Sequence, residues 1–323
     1  MRRLWVVALL AVAAVAVTAV VATRDEEGPS IAEAVDEVVA RGVPGVLVRT
    51  REDDGVTELG RGDASAGERF RVGSVTKTFV AALTLTLEDA GVLRLDDPVS
   101  RHVPGLLRDG DQVTVRDLLG HTAGLYDYTQ DPALLNGDLE RSEGYAYSST
   151  NYLALGLVLE AAAGEPLEVL LRRRVFERFG LDDTTFEPGR VSGDYLHGHQ
   201  RASRDGVATG QLRDTDRRTA QSAWAAGAAV STAADLDRFF TQLLASDLGR
   251  RMRPRGDARY GLGLARFETD CGPVIGHTGN LLGTVTVVWA RGDRMLVTAA
   301  NAFPLDPAQE AALQRLLGLA VCG

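Results

Sequence analysis

The sequence predicts an α/β fold: an antiparallel sheet covered by N- and C-terminal helices, with a mostly helical subdomain inserted at about residues 95–225. Three observations carry this. A helix and a hairpin open the folded part of the chain. Four strand-like runs and a helix close it. Between them the apolar periodicity is helical.

In order, Ile31 to Ala40 has an apolar stripe at helical spacing and ends before Gly42. Gly45 to Arg51 and Val56 to Leu59 flank Asp53-Asp54-Gly55, which is hairpin chemistry. Ser74 to Asp89 reads as a long apolar helix stopped at Gly91. Val113 to Leu119, Asn151 to Ala163 and Pro166 to Phe179 are the clearest helices of the insertion. Gln200 to Arg218 is polar and charged and reads as a surface loop. Gly263 to Glu268, Pro273 to His277, Gly283 to Ala290 and Arg294 to Asn301 read as successive strands, the last two joined by Arg291-Gly292-Asp293. Pro307 to Leu319 closes the chain as a helix that can cover the sheet beside the first.

The folded domain spans residues 31–323, preceded by a different kind of segment at residues 1–23. Arg2 and Arg3 precede an apolar run, Leu4 to Ala22, broken only by Thr18. This reads as a signal peptide cleaved after Ala22, or as an N-terminal anchor tethering the chain to a membrane through residues 4–22. Either places the rest of the chain outside the cytoplasm, extracellular or at the cell surface. In that setting an even cysteine count favours a disulfide, Cys271 with Cys322. A net charge of −9 gives no basic footprint for nucleic acid. His102, His197 and His199 form no metal-ligand spacing with cysteine or carboxylate, so neither metal nor cofactor is expected.

Lys77 is the only lysine in the chain; every other basic residue is arginine. A desolvated lysine can become a neutral amine and a base, which an arginine cannot. Lys77 follows Ser74 by three residues at a predicted helix start, so amine and hydroxyl share a helix face. This arrangement activates a serine nucleophile without histidine. Such a site also needs a proton shuttle, an oxyanion hole and a surface to align substrate. Tyr147, in Tyr147-Ser-Ser149, is the candidate shuttle: a lysine cation beside it would favour its phenolate. His277-Thr278-Gly279 ends a predicted strand, and its glycine would let an extended substrate lie along that strand. The amides of Ser74 and Asn280 are the candidate oxyanion hole. His121 reads as structural. Arg266 could grip a substrate carboxylate, although with so many arginines in the chain a solvated surface position is the favoured reading.

Arg71-Val-Gly-Ser74-Val-Thr-Lys77-Thr-Phe79, Leu118-Leu-Gly-His121-Thr-Ala-Gly124-Leu125, Tyr147-Ser-Ser-Thr-Asn-Tyr152, Tyr260-Gly-Leu-Gly-Leu264 and Gly276-His-Thr-Gly279 occur in that order. Together they resemble the penicillin-recognising serine hydrolases, a class C β-lactamase-like family, and look most like secreted actinobacterial D-alanyl-D-alanine carboxypeptidases. The resemblance implies a β-lactamase/transpeptidase-like fold, with Ser74 as nucleophile, Lys77 as its partner, Tyr147 as the motif tyrosine and His277, Thr278 and Gly279 as the third motif at the substrate. It departs at Ser149, where the family usually has an asparagine that binds the substrate amide; Asn151 lies two residues further on. The expected function is an exported acyl-enzyme carboxypeptidase on cell-wall peptides, with β-lactams as acylating inhibitors. An esterase or β-lactamase on the same site, and a penicillin-binding protein without turnover, are the alternatives.

Overall fold

The computed structural model describes residues 29–52, 55–129, 144–204 and 207–323. The expected signal or anchor at residues 1–23 and the Asp53-Asp54 corner lie outside the described residues. Among the described residues no helix is long and apolar enough to cross a membrane.

Helix α1 (Ile31–Ala40) begins at a capping box in which Ser30 and Glu33 satisfy each other's backbone amides. Strands β1 (Gly45–Glu52) and β2 (Gly55–Gly62) form the hairpin, with Gly45 opposite Gly62. Strand β3 (Phe70–Arg71) leads through one 3-10 turn, Gly73–Val75, into α2 (Thr76–Asp89). The excursion then runs α3 (Val99–His102), α4 (Val115–Gly120), α5 (Ser149–Ala163), α6 (Leu167–Leu171), a π turn at Arg172–Phe176, α7 (Glu177–Phe179) and β4 (Thr185–Phe186). It continues through β5 (His199–Arg204), β6 (Val207–Asp214) and α8 (Trp224–Gly227). Next come β7 (Ala229–Ser231), α9 (Ala233–Ala245) and α10 (Asp247–Met252). Strands β8 (Ala265–Thr269), β9 (Gly272–Leu281), β10 (Thr284–Arg291), β11 (Arg294–Ala300) and β12 (Ala302–Phe303) precede α11 (Pro307–Cys322).

The main sheet is six-stranded and antiparallel, in the order β2-β1-β11-β10-β9-β8. The two ends of the chain meet where β1 pairs β11, Val46 opposite Ala300. Alternation along β1 sorts the core into two layers. Val46 and Val48 face α1 and α11, packing with Val35, Val38, Leu316 and Val321. Leu47 faces the opposite layer, which holds Phe79 of α2 and Phe239 and Phe240 of α9. A one-residue slip would exchange these faces, so burial fixes the register. Cys271 and Cys322 are bonded and tie the end of α11 to the β8–β9 turn.

Two expectations are corrected. Gln200 to Arg218 is not a loop: it holds the β5–β6 hairpin, whose strand β5 also runs parallel to β12. Its polar composition hid strands that are held by backbone pairing rather than by a buried apolar face. The strand expected to stop at His277 continues to Leu281, because β10 pairs with it as far as Thr284 opposite Leu281. The His277-Thr278-Gly279-Asn280 motif therefore lies within a strand.

Candidate active site

Ser74 stands in the 3-10 turn that starts α2, and Lys77 lies one turn further on the same face. Lys77 is fully buried. Its Nζ lies 2.9 Å from Ser74 Oγ, 2.9 Å from the Ala226 carbonyl oxygen and 3.3 Å from Ser149 Oγ. Burial brings its pKa down to about 7, against a smaller upward pull from Asp127. A neutral amine has two N–H donors and one lone pair. The Ala226 carbonyl and Ser149 hydroxyl can take the two donors, leaving the lone pair for the Ser74 proton. The three contacts thus suit an amine that acts as base.

Tyr147 sits across the cleft. Its ring centre is 5.2 Å from Lys77 Nζ, and both it and Ser74 line the cleft. The residue is 37% exposed and lines the cleft. Burial pushes its pKa well above the ordinary phenol value, and the interaction with Ser74 offsets this only in part. The expectation of a favoured phenolate is therefore corrected: Lys77 is itself desolvated and is no fixed cation, so Tyr147 keeps its proton and is poised as an acid. His121 is the support behind it, its ring centred 4.3 Å from that of Tyr147. The His121 carbonyl accepts from Ala146 N–H at 2.9 Å, and its Nδ1 faces Ser148 N at 3.3 Å, fixing the approach to α5. Burial holds the His121 pKa far below normal, so the ring is neutral.

The opposite wall is β9. Strand β8 pairs with it only as far as Gly276, so from His277 onward that edge has no strand neighbour among the described residues. Gly279 lines the cleft and also lets the protein's own backbones approach each other closely. A Cβ there would lie 2.1 Å from the Val72 carbonyl oxygen and 2.8 Å from Ser74 N. Gly73, at φ +53°, reciprocates: its Cβ would lie 2.9 Å from Asn280 N. Two bare backbones in contact hold the Ser74 and Asn280 amides close together, as an oxyanion hole requires.

His277, expected at the substrate, does not line the cleft. It is buried, with Nε2 3.0 Å from the Tyr260 hydroxyl and Nδ1 2.6 Å from the Thr278 carbonyl oxygen. The carbonyl can only accept, so Nδ1 carries the hydrogen and Nε2 accepts from Tyr260. Burial and the nearby Lys77 bring its pKa down to about 3, which leaves the ring neutral. Alternation along β9 is the reason: His277 and Thr278 point to opposite faces. Asn151 does not replace the missing asparagine either, since its amide is buried against Ser148 and His121. Ser149 does line the cleft.

The cleft encloses about 290 Å³. Ser74, Tyr147, Ser149, Thr278, Gly279 and Asn280 meet in it. Sequence reasoning missed Asp127, Tyr128 and Thr129 on one side and Ala223, Ala226 and Gly227 on the other. The small-residue run Ala225-Ala-Gly-Ala-Ala229 was a usable signal, for only small side chains let that backbone reach Lys77 and let Ala229 N–H donate to Thr76 Oγ1 at 3.0 Å. The Tyr260-Gly-Leu-Gly263 motif is a packing device: a Cβ on Gly263 would lie 2.3 Å from Ala81 Cβ, and Thr78 Oγ1 donates to the Gly263 carbonyl at 2.9 Å. It clamps the helix that carries Lys77. Arg266 does not line the cleft and pairs with Glu268.

The model of the beta-lactamase family matches residues 31–320. The chain belongs to the beta-lactamase family. Its members are serine hydrolases, and the mixed α/β architecture described above is theirs. The chain is 33% identical over 144 residues to Penicillin-binding protein 4* of Bacillus subtilis, a match covering 38% of this chain and 32% of that one. It is 31% identical over 173 residues to Penicillin-binding protein 4 of Amycolatopsis lactamdurans, covering 45% of each. The matches thus span from about a third to under half of the length of these relatives. Among solved structures, a D-stereospecific amidohydrolase from Streptomyces sp. superposes with a TM-score of 0.74 at 29% identity, covering 85% of this chain and 95% of that one.

Proposed function

We propose that the protein is an exported acyl-enzyme amidohydrolase that cleaves small D-amino-acid amides or peptides bearing a free ammonium group on the acyl side. The observation that carries this reading is Asp127, the only charged side chain among the described residues lining the cleft. Thr129 holds Asp127 Oδ1 through its N–H at 3.0 Å and its hydroxyl at 2.9 Å, while Oδ2 has no partner among the described residues. A carboxylate placed this way attracts an ammonium and repels a terminal carboxylate. The likeness to the D-stereospecific amidohydrolase supports the same class.

Ser74 Oγ gives its proton to Lys77 Nζ and attacks the substrate carbonyl. The Ser74 and Asn280 amides stabilise the oxyanion. Tyr147 protonates the departing nitrogen and is reprotonated from Lys77. Water then releases the acid by the reverse route.

The D-alanyl-D-alanine carboxypeptidase reading is the second. Thr278 and the open edge of β9 favour it, since an extended peptide can pair there. β-Lactams would acylate Ser74 in either case. Comparing kcat/KM for a D-alanine amide, its N-acetylated form, a diacyl-Lys-D-Ala-D-Ala peptide, a chromogenic cephalosporin and a nitrophenyl ester decides between them. The free-amine amide should lead. Faster release of D-alanine from the diacylated peptide would replace it with the carboxypeptidase. Turnover of the ester alone would make the protein an esterase.

A further inference from the structure

Arg266 belongs to a second cavity that shares no lining residue with the cleft. The cavity encloses about 540 Å³ between the end of α9 and the β10–β11 turn. Its floor is apolar: Leu244, Ile275, Ala290 and Met295. Its rim carries Arg253, Arg266, Arg291 and Arg294, with Asp293 as the only lining carboxylate. In a chain of net charge −9 this is a local reversal of sign.

The rim is also under-satisfied. Arg291 is half-buried, and its side chain makes no ion pair or hydrogen bond among the described residues. Arg253 is exposed, and among the described residues its guanidinium pairs with no carboxylate and donates only to the Leu244 carbonyl, at 3.2 Å. Arg294 keeps a buried Nη1 without a hydrogen bond, its nearest carboxylate oxygen being Glu52 Oε1 at 3.6 Å. Arg266 is the best satisfied of the four, donating to Glu268 at 2.8 Å and to the Gly256 carbonyl at 3.1 Å. A guanidinium fork fits phosphate or carboxylate oxygens two at a time. Among the described rim residues Arg294 Nη1 is the buried donor without a hydrogen bond, and such donors are costly, so an anion seated against it would relieve that penalty.

We infer that this cavity binds a small phosphate or carboxylate anion that carries an apolar group, with the anion on Arg253, Arg291 and Arg294 and the apolar group on the Leu244, Ile275 and Met295 floor. Nothing in this depends on what the cleft hydrolyses.

Titration calorimetry on the full chain with hexyl phosphate tests it, against inorganic phosphate and hexylammonium. Hexyl phosphate should bind saturably, at least about tenfold more tightly than inorganic phosphate, since burying several methylenes contributes that much or more. Hexylammonium should not bind. Affinity should fall as salt rises, and by roughly tenfold or more in Arg253→Ala/Arg291→Ala, because hydrogen bonds between charged groups are the strong class. Ser74 acylation by a fluorescent penicillin should be unchanged in that variant, which shows that it folds. Phosphatidylglycerol vesicles, with phosphatidylcholine as control, identify the source: binding lost in the double variant marks a lipid headgroup, and binding equal in both proteins marks a soluble anion. No saturable hexyl phosphate binding, affinity no better than that of inorganic phosphate, or affinity unchanged by the double substitution would overturn the inference.

Discussion

Gly279→Ala tests the geometry on which the proposed oxyanion hole depends. The new Cβ would lie 2.1 Å from the Val72 carbonyl oxygen, where ordinary contact begins at 3.4 Å. The two backbones must separate by roughly 1.3 Å to accept it, since no flexible side chain is there to move aside. Both neighbours are tied elsewhere: Val72 N–H donates to the Ala229 carbonyl at 3.1 Å, and Gly279 lies opposite Thr286 in the sheet. Overpacking of this kind costs about 1–3 kcal/mol. The larger effect is on chemistry. A displacement of about 1 Å between the Ser74 and Asn280 amides should slow acylation on the order of 100-fold, the scale of a misplaced group or a lost oxyanion donor. The assay is the rate of Ser74 labelling by a fluorescent penicillin, read beside a thermal melt. Gly318→Ala is the control: it is in α11 with nothing within 4 Å of the added Cβ, and it should leave labelling unchanged while stabilising the helix by about 0.5–1 kcal/mol. If Gly279→Ala is labelled at the wild-type rate and melts normally, the close approach of β9 to the nucleophile turn does not set the site.

Lys77→Arg should be nearly as inactive as Lys77→Ala, because arginine keeps the charge and cannot accept the Ser74 proton; retention of most of the labelling rate would make Lys77 an electrostatic helper only. Acylation requires neutral Lys77, whose pKa is about 7, so the labelling rate should rise through that pH and fall about tenfold per unit below it. Asp127 raises the Lys77 pKa, so Asp127→Asn should move this profile to lower pH, and a shift to higher pH would contradict the assignment. The same variant should lose activity on a free-amine amide far more than on its N-acetylated form, read as kcat/KM. Opening the Cys271–Cys322 bond, which closes a separation of 51 residues, should cost about 4 kcal/mol of stability in the chain-entropy model, measured by denaturant titration of the double serine variant.

The sequence by itself determined the elements with strong periodicity and the residues with singular chemistry. The amphipathic α1, the Ser74–Lys77 spacing and the nearly continuous apolar runs of β10 and β11 are local patterns, so they were legible without the fold. The approach of Ser74, Lys77, Tyr147 and the β9 motif was implied by motif order, but the distances were not. The β5–β6 hairpin was missed because its strands are polar and held by pairing with partners remote in sequence. The side on which His277 lies depended on where β9 ends and which way its residues alternate, and that is set by pairing with β10. The proton state of Tyr147 came out opposite to the simple ion-pair expectation, because burial, a property of the whole fold, desolvates both it and Lys77. Asp127 and the Ala226 carbonyl carry no motif. Only tertiary packing brings an ordinary loop carboxylate and an ordinary backbone oxygen to the one buried amine in the chain.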